Sequence, residues 1–307
     1  MGGEIADLFP GFEARHVTGD GAEIFCRIKG NGPPLLLLHG YPQTHAMWHP
    51  VADALARDFT VVVADLRGYG ASDAPEGDPA HARYSKRAMA RDMVAVMAAL
   101  GHARFAVAGH DRGGRVAYRM ALDHPDRLTA LCVLDILPTY EYWKAMDWRY
   151  AMAIYHWLFL AQPHPLPERL IAGDPGFYLD YTLASWTAAK DLSAFDARAL
   201  AAYRASFSQA ARQHAACEDY RAGATIDMEH DSADRAAGRR IATPTLVLYG
   251  NAGIAGKAST PLDTWKTWTE DLTGEGIDGG HFVVEENPQA TLAALTRFLK
   301  ARTGPAA

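Results

Sequence analysis

Cysteine is scarce in this chain: Cys26, Cys132 and Cys217 are the only three among 307 residues. An odd, widely spaced set builds no disulfide framework, and no pair has the spacing of a zinc site. Buried, reduced thiols suit a cytoplasmic protein. No stretch reaches the roughly 18 apolar residues of a membrane span. The start, Met1-Gly2-Gly3-Glu4, has no basic region leading into an apolar one, so no secretory signal is expected. Positive charge is in deficit, with 30 Lys and Arg against 36 Asp and Glu for a net charge of −6. That balance offers nothing to nucleic acid. Low hydrophobicity is absent too: 49% of residues are hydrophobic, which excludes a disordered polymer.

What is present is a rhythm of short apolar runs and amphipathic helices. Leu35–Leu38, Thr60–Ala64, Phe105–Ala108, Leu131–Leu134 and Thr245–Tyr249 are apolar throughout. Such runs fit strands covered on both faces, as in a parallel sheet flanked by helices. Ala22–Lys29, after the turn Gly19-Asp20-Gly21, reads as part of a hairpin. Ser85 caps a predicted helix with Met89, Met93, Val96, Met97 and Leu100 on one face, ended by Gly101. Asn287 and Pro288 open a last helix carrying Leu292, Leu295, Phe298 and Leu299. This alternation predicts a doubly wound α/β fold. Residues 139–241 break it: they lack buried-strand runs and hold Trp143, Trp148, Trp157 and Trp186. The expected organisation is a core of residues 1–138 and 242–307 with a helical cap of residues 139–241.

Gly109-His110-Asp111-Arg112-Gly113-Gly114 lies between a strand and a helix. Small residues on both sides permit a sharp turn that lifts the central side chain above the sheet, a place where serine is usual. Aspartate changes the chemistry. A serine that attacked saturated carbon would be left as an inert ether. A carboxylate is already ionised at neutral pH, and the ester it forms can be reopened by water at its own carbonyl. Asp111 therefore points to displacement at sp³ carbon, with an epoxide opened or a halide expelled. The competing reading is a helix cap, for which Asp is also favoured. His281, in Gly279-Gly280-His281-Phe282 near the end of the chain, is the candidate base. Asp135, at the end of a strand, is the candidate partner of that imidazole, because the loop from Gly250 to Ile254 offers no acid before Asp263.

His39-Gly40-Tyr41-Pro42, Asp65-Leu66-Arg67-Gly68-Tyr69-Gly70-Ala71-Ser72-Asp73, the Asp111 turn and Gly279-Gly280-His281-Phe282 together resemble the α/β-hydrolase superfamily, in the branch shared by epoxide hydrolases and dehalogenases. The resemblance spans nearly the whole chain in the right order. It implies an α/β-hydrolase fold, a mostly parallel doubly wound sheet with an inserted helical cap. It also implies an oxyanion hole from the backbone N–H groups of Tyr41 and Arg112. Within the branch the chain most closely resembles the fluoroacetate dehalogenases. Arg112 stands where haloalkane dehalogenases and many epoxide hydrolases carry tryptophan, and Arg115 follows three residues later. Two guanidiniums suit a substrate with its own carboxylate. The segments Tyr155-His156-Trp157 and Cys217-Glu218-Asp219-Tyr220 resemble the family's halide pocket, which implies His156, Trp157 and Tyr220 as donors to the leaving halide. Trp186 falls in a matching segment and is expected to line or gate the site.

The reaction so implied is hydrolysis of a small anionic haloacid, fluoroacetate to glycolate and fluoride, without a metal or organic cofactor. The resemblance also implies a homodimer. The nearest rival is an epoxide hydrolase with the same triad, its oxygen donors drawn from Tyr155, Tyr178, Tyr181 and Tyr220. A ligand sensor of the same fold is the rival from a different class, though sensors often lose the nucleophile or base that this chain keeps. The loop Asn251–Lys257 and the stretch Phe282–Glu286 match the family pattern only loosely.

Overall fold

The computed structural model describes residues 7–253 and 261–303. The opening residues Met1–Glu4 and the loop positions from Ile254 to Lys257 lie outside them. Among the described residues eight strands form one sheet in the order β1-β2-β4-β3-β5-β6-β7-β8. The first two are the hairpin, β1 (Glu13–Thr18) and β2 (Glu23–Lys29), joined antiparallel. β2 also lies antiparallel to β4 (Thr60–Ala64). The remaining pairings are parallel: β3 (Pro34–Leu38) with β4 and with β5 (Phe105–His110), then β6 (Leu128–Leu134), β7 (Thr245–Gly250) and β8 (Leu272–Ile277).

The apolar runs occupy the middle of this sheet. Leu35–Leu38, Val61–Ala64, Phe105–Ala108 and Ala130–Leu134 are buried along their full length. That is why they carry no alternation: both faces are covered. The helix Lys86–Ala99 begins at Ser85, whose side chain accepts from Ala88 N, and packs on the helix Arg112–Asp123. The helix Pro288–Thr303 packs on His49–Leu55, and Asn287 Oδ1 accepts from Ala290 N at 3.2 Å. Between β6 and β7 the chain forms helices alone, from Thr139–Lys144 through Ile226–Ala236.

β8 was not expected from the sequence. Its segment, Leu272-Thr273-Gly274-Glu275-Gly276-Ile277, is half exposed at the sheet edge and holds two glycines. An edge strand with one covered side needs no apolar run.

Because β3, β5, β6 and β7 are parallel, their carboxyl ends share one edge of the sheet. The loops leaving that edge carry His39–Tyr41, Asp111, Asp135 and Gly250. Ligand sites of open α/β sheets form in this position.

Candidate active site

Asp111 connects β5 to the helix Arg112–Asp123 with φ +44° and ψ −114°. A non-glycine residue held at such angles stores strain, which only surrounding structure can impose. Here the imposition is steric. A Cβ on Gly109 would lie 2.3 Å from Gly113 O, and one on Gly113 would lie 2.4 Å from His39 O. The turn is therefore closed against β3, and the side chain has to project past the strand ends. Asp135 occupies the corresponding place after β6, also at positive φ, +50°. Its Oδ1 accepts from Gly250 N at 2.9 Å.

His281 Nδ1 lies 2.6 Å from Asp135 Oδ2. A carboxylate can only accept, so Nδ1 carries the proton and Nε2 is left as the basic atom. The His281 backbone is fixed as well. Its carbonyl accepts from His110 Nε2 at 2.8 Å, and its N–H donates to Trp186 O at 3.0 Å. The neighbouring N–H groups of Gly280 and Phe282 donate to Glu286 at 2.8 and 2.9 Å, and the same carboxylate accepts from Ala188 N at 2.8 Å. His281 is thus tied to the end of the inserted helix Pro175–Trp186 and the segment that follows it.

Tyr41 N donates to Asp111 Oδ2 at 2.9 Å. The loop bearing Tyr41 is held by His39, whose Nδ1 meets Gly40 O at 2.9 Å and whose Nε2 accepts from Leu66 N at 3.0 Å. One oxygen of Asp111 is therefore parked on a backbone donor, in the place an oxyanion would occupy.

A cavity of at most about 280 Å³ is lined by Asp111, Arg115, Tyr142, Ile154, His156, Trp157, Trp186 and His281. That is at or below the small end of ligand sites, so it suits a substrate of few atoms. Six of the residues singled out from the sequence line it. Asp135, Tyr41, Arg112 and Tyr220 stand behind it. Tyr220 packs edge-on to His156 and Trp157, with ring centres 5.7 and 5.9 Å away. Neither Tyr155, Tyr178 nor Tyr181 lines the cavity, and Tyr181 is 53% exposed.

The two arginines differ in their partners. Arg112 is buried and paired: Nη2 donates to Asp219 Oδ1 at 2.6 Å, Nε to Oδ2 at 3.1 Å, and Nη2 also to Asp219 O at 2.8 Å. Asp219 also receives Tyr69 Oη at 2.8 Å and the Lys86 ammonium. Nη1 of Arg112 has no hydrogen-bond partner among the described residues. Arg115 has no carboxylate within 4 Å among the described residues. It lies instead against Tyr142 and Trp157, which stack on each other with ring centres 4.9 Å apart, its guanidinium carbon 4.7 and 4.4 Å from those centres. Its Nη1 donates to Leu137 O at 3.0 Å and Thr139 Oγ1 at 3.1 Å, which fixes the group without neutralising it.

These charges set the protonation states. Burial alone would raise the Asp111 carboxyl, but His281, Arg115 and Arg112 outweigh it and hold the group below its ordinary value. Burial alone would lower His281. The hydrogen bond to Asp135, the charge of Asp135 and that of Asp111 prevail and raise it. Burial pushes His156 down to about 3, so its ring is neutral. Its Nδ1 is buried without a hydrogen-bond partner among the described residues.

Sequence reasoning missed Asp219, Lys86 and Tyr69, which hold Arg112, and Tyr142, which holds Arg115. Asp219 stood beside Tyr220 in a segment already singled out. Tyr142 had only its place just past β6 to mark it.

Comparison with known proteins places this geometry. Residues 33–288 match the family model of the alpha/beta hydrolase fold. A fluoroacetate dehalogenase of Burkholderia sp. is 45% identical over 97% of this chain and 97% of its own. A soluble epoxide hydrolase of Corynebacterium sp. is 30% identical over 88% of this chain and 91% of its own. A solved structure from Nostoc sp. PCC 7120, described as an alpha/beta hydrolase, superposes with a TM-score of 0.92 at 51% identity, covering 95% of this chain and 99% of that one.

Proposed function

Since the chain belongs to the α/β-hydrolase fold family, in which a fluoroacetate dehalogenase is 45% identical to it, we propose that it hydrolyses short 2-haloacids, fluoroacetate among them. The observation that carries this reading is Arg115. A buried, oriented guanidinium with no acid partner among the described residues, facing the same cavity as Asp111, is a binding site for a carboxylate. A neutral epoxide or haloalkane would leave it unpaired, which is costly in a buried site.

In the first step Arg115 holds the substrate carboxylate and offsets its repulsion from Asp111, and the charge of Arg112 behind the cavity adds to that offset. The carboxylate of Asp111 attacks the α-carbon from the side opposite the halogen; the C–O bond forms as the carbon–halogen bond breaks. His156, Trp157 and Tyr220 receive the halide. Fluoride is a poor leaving group, and each preorganised donor contributes about 3 kcal/mol to the transition state. A neutral His156 can give one N–H without first losing a proton.

In the second step water attacks the Asp111 ester carbonyl while His281 Nε2 takes its proton. The tetrahedral oxyanion is held by the N–H groups of Tyr41 and Arg112. Its collapse expels glycolate, protonated by His281, and leaves Asp111 as its acid; loss of that remaining water proton to solvent restores the carboxylate. The charges favour this order. Asp111 raises the His281 imidazole while it is ionised, and that influence vanishes once the ester forms. The base is thus freed of its proton in the state that needs it.

The test is a single turnover in ¹⁸O-water, followed by mass spectrometry. Label is expected in Asp111 and not in the glycolate; label entering glycolate directly refutes the covalent step. Fluoride release measured beside chloroacetate and styrene oxide turnover separates this reading from the epoxide hydrolase one.

The exposed large apolar side chains Trp148, Met152, Leu166, Leu170, Phe177 and Tyr181 all belong to the inserted helices. Apolar exposure gathered in one segment suits a protein partner. A second copy is the proposed one, with sedimentation at twice the chain mass as the check. Among the described residues no helix is long and apolar enough to cross a membrane.

A further inference from the structure

Away from the cavity, three side chains of ligand type converge within the inserted helices. His164 precedes the helix Leu166–Ile171, Glu168 lies in it, and His214 lies on the helix Ala210–Ala224. One ligand atom from each falls within 4.8 Å of the other two. His214 Nδ1 is 3.0 Å from Glu168 Oε1, and the two imidazoles meet edge to face with centres 5.5 Å apart. His164 and His214 also border an open groove of about 750 Å³, whose other walls include Glu76, Asp78 and Glu218.

We propose that His164, Glu168 and His214 form a binding site for a divalent transition-metal ion, zinc in the first instance, separate from the hydrolytic site. Two imidazoles and one carboxylate are a donor set for zinc, nickel or copper; magnesium and calcium prefer oxygen alone. The spacing fits. Ligand atoms bound tetrahedrally at zinc's usual 2.0–2.2 Å are about 3.3 Å from one another. The His214–Glu168 separation is already close to that. His164 is exposed and can close the remaining distance by a side-chain rotation.

The surroundings favour a cation. The carboxylates of Glu76, Asp78, Glu168 and Glu218 gather here, and two guanidiniums are set against them: Arg83, beside Glu76 and Asp78, and Arg221. Arg221 donates to both oxygens of Glu168, at 2.8 and 3.1 Å, and to Glu218 at 2.9 Å. Its bond to Oε2 can persist while Oε1 turns to the ion, which is how an outer partner orients a ligating carboxylate. His81 faces Glu218 from the core side at 2.9 Å. The competing account is a plain solvated network of ion pairs around Arg221.

Untagged protein, stripped with a chelator and dialysed, would be titrated calorimetrically with zinc chloride in a non-coordinating buffer. A single saturable equivalent is expected, with no comparable heat from magnesium chloride. His164→Ala removes an exposed side chain and leaves the fold and fluoride release intact; it should weaken zinc binding at least about tenfold, as even lesser changes around a metal do. Crystals soaked in zinc should give an anomalous peak between the three residues. The proposal is overturned if zinc does not bind, or if His164→Ala and the His164→Ala/His214→Ala double variant bind it as the unmodified chain does.

Discussion

Replacing Arg115 by methionine tests the reading of the cavity most directly. Methionine keeps much of the length and the apolar stem against Tyr142 and Trp157, and removes the charge and its donors. Two hydrogen bonds to Leu137 O and Thr139 Oγ1 go with it, but no carboxylate of the described residues is stranded, because none of them is paired to this guanidinium. The loss should therefore appear in substrate handling more than in folding. Removing one partner of a buried charged pair costs about 3 kcal/mol. At about 1.4 kcal/mol per decade that is about a hundredfold fall in kcat/KM for fluoroacetate. Arg112→Met should behave differently. It leaves Asp219 buried against Lys86 and Tyr69 alone, so it should destabilise the chain by about 3 kcal/mol or more, as breaking a buried pair does. The assay is fluoride-electrode kinetics beside thermal unfolding, with chloroacetamide as the uncharged probe. Arg115→Met should lose the preference for chloroacetate over chloroacetamide. If it keeps kcat/KM for fluoroacetate within about threefold, or keeps that preference, the assignment of Arg115 to the substrate carboxylate is wrong.

Other consequences follow from the same contacts. In the free protein His281 titrates above 6.5, partly because Asp111 is charged. The acid limb of the ester-hydrolysis step, read from single-turnover rates, should therefore fall at lower pH than the imidazole titration seen by NMR; coincidence of the two would refute the charge argument. Glu286→Gln weakens a carboxylate that accepts three backbone N–H groups around the base. It should lower kcat several-fold with KM little changed and cost about 1–2 kcal/mol of stability, while Glu286→Asp should recover less than full activity because its shorter stem cannot reach all three. Burial pushes the Glu285 carboxyl up from 4.5 to about 8, against the opposing bonds from Tyr203 at 2.8 Å and from Gln43. The folded form thus binds its proton more tightly than the unfolded chain does. Its contribution is full below about pH 4.5 and is lost as pH rises through about 8. Glu285→Gln should flatten the decline of melting temperature across that window, and an unchanged slope would count against a protonated Glu285.

Much of the scaffold could be read from the chain because each element carried its own pattern. β3 to β7 announce themselves as apolar runs, and Asp111 is conspicuous because Gly109 before it and Gly113 and Gly114 after it permit a tight turn. Asp135 and His281 were found by place, one past a strand and one among glycines near the end. β8 escaped because an edge strand with Gly274 and Gly276 has little apolar surface to display. The ion pairs around Arg112 escaped for a different reason. Asp219 is 107 residues from Arg112 and 133 from Lys86, so no local spacing records their meeting. The difference between the two arginines is likewise a tertiary fact: three residues apart on one helix, one is neutralised by a distant helix and the other is not.

The stitching of His281 to Trp186 and of Glu286 to Ala188 bears on how traffic through the enclosure is timed. The general base hangs partly from the roof of the chamber. If the roof lifts by that edge to admit an acid or discharge glycolate, the imidazole must shift with it or its bonds must break, and in either case water loses its proton acceptor. On the proposed reaction, opening and hydrolysis are then alternating events: the ester of Asp111 is consumed only in a chamber that is shut, and exchange with solvent takes place only while His281 is displaced.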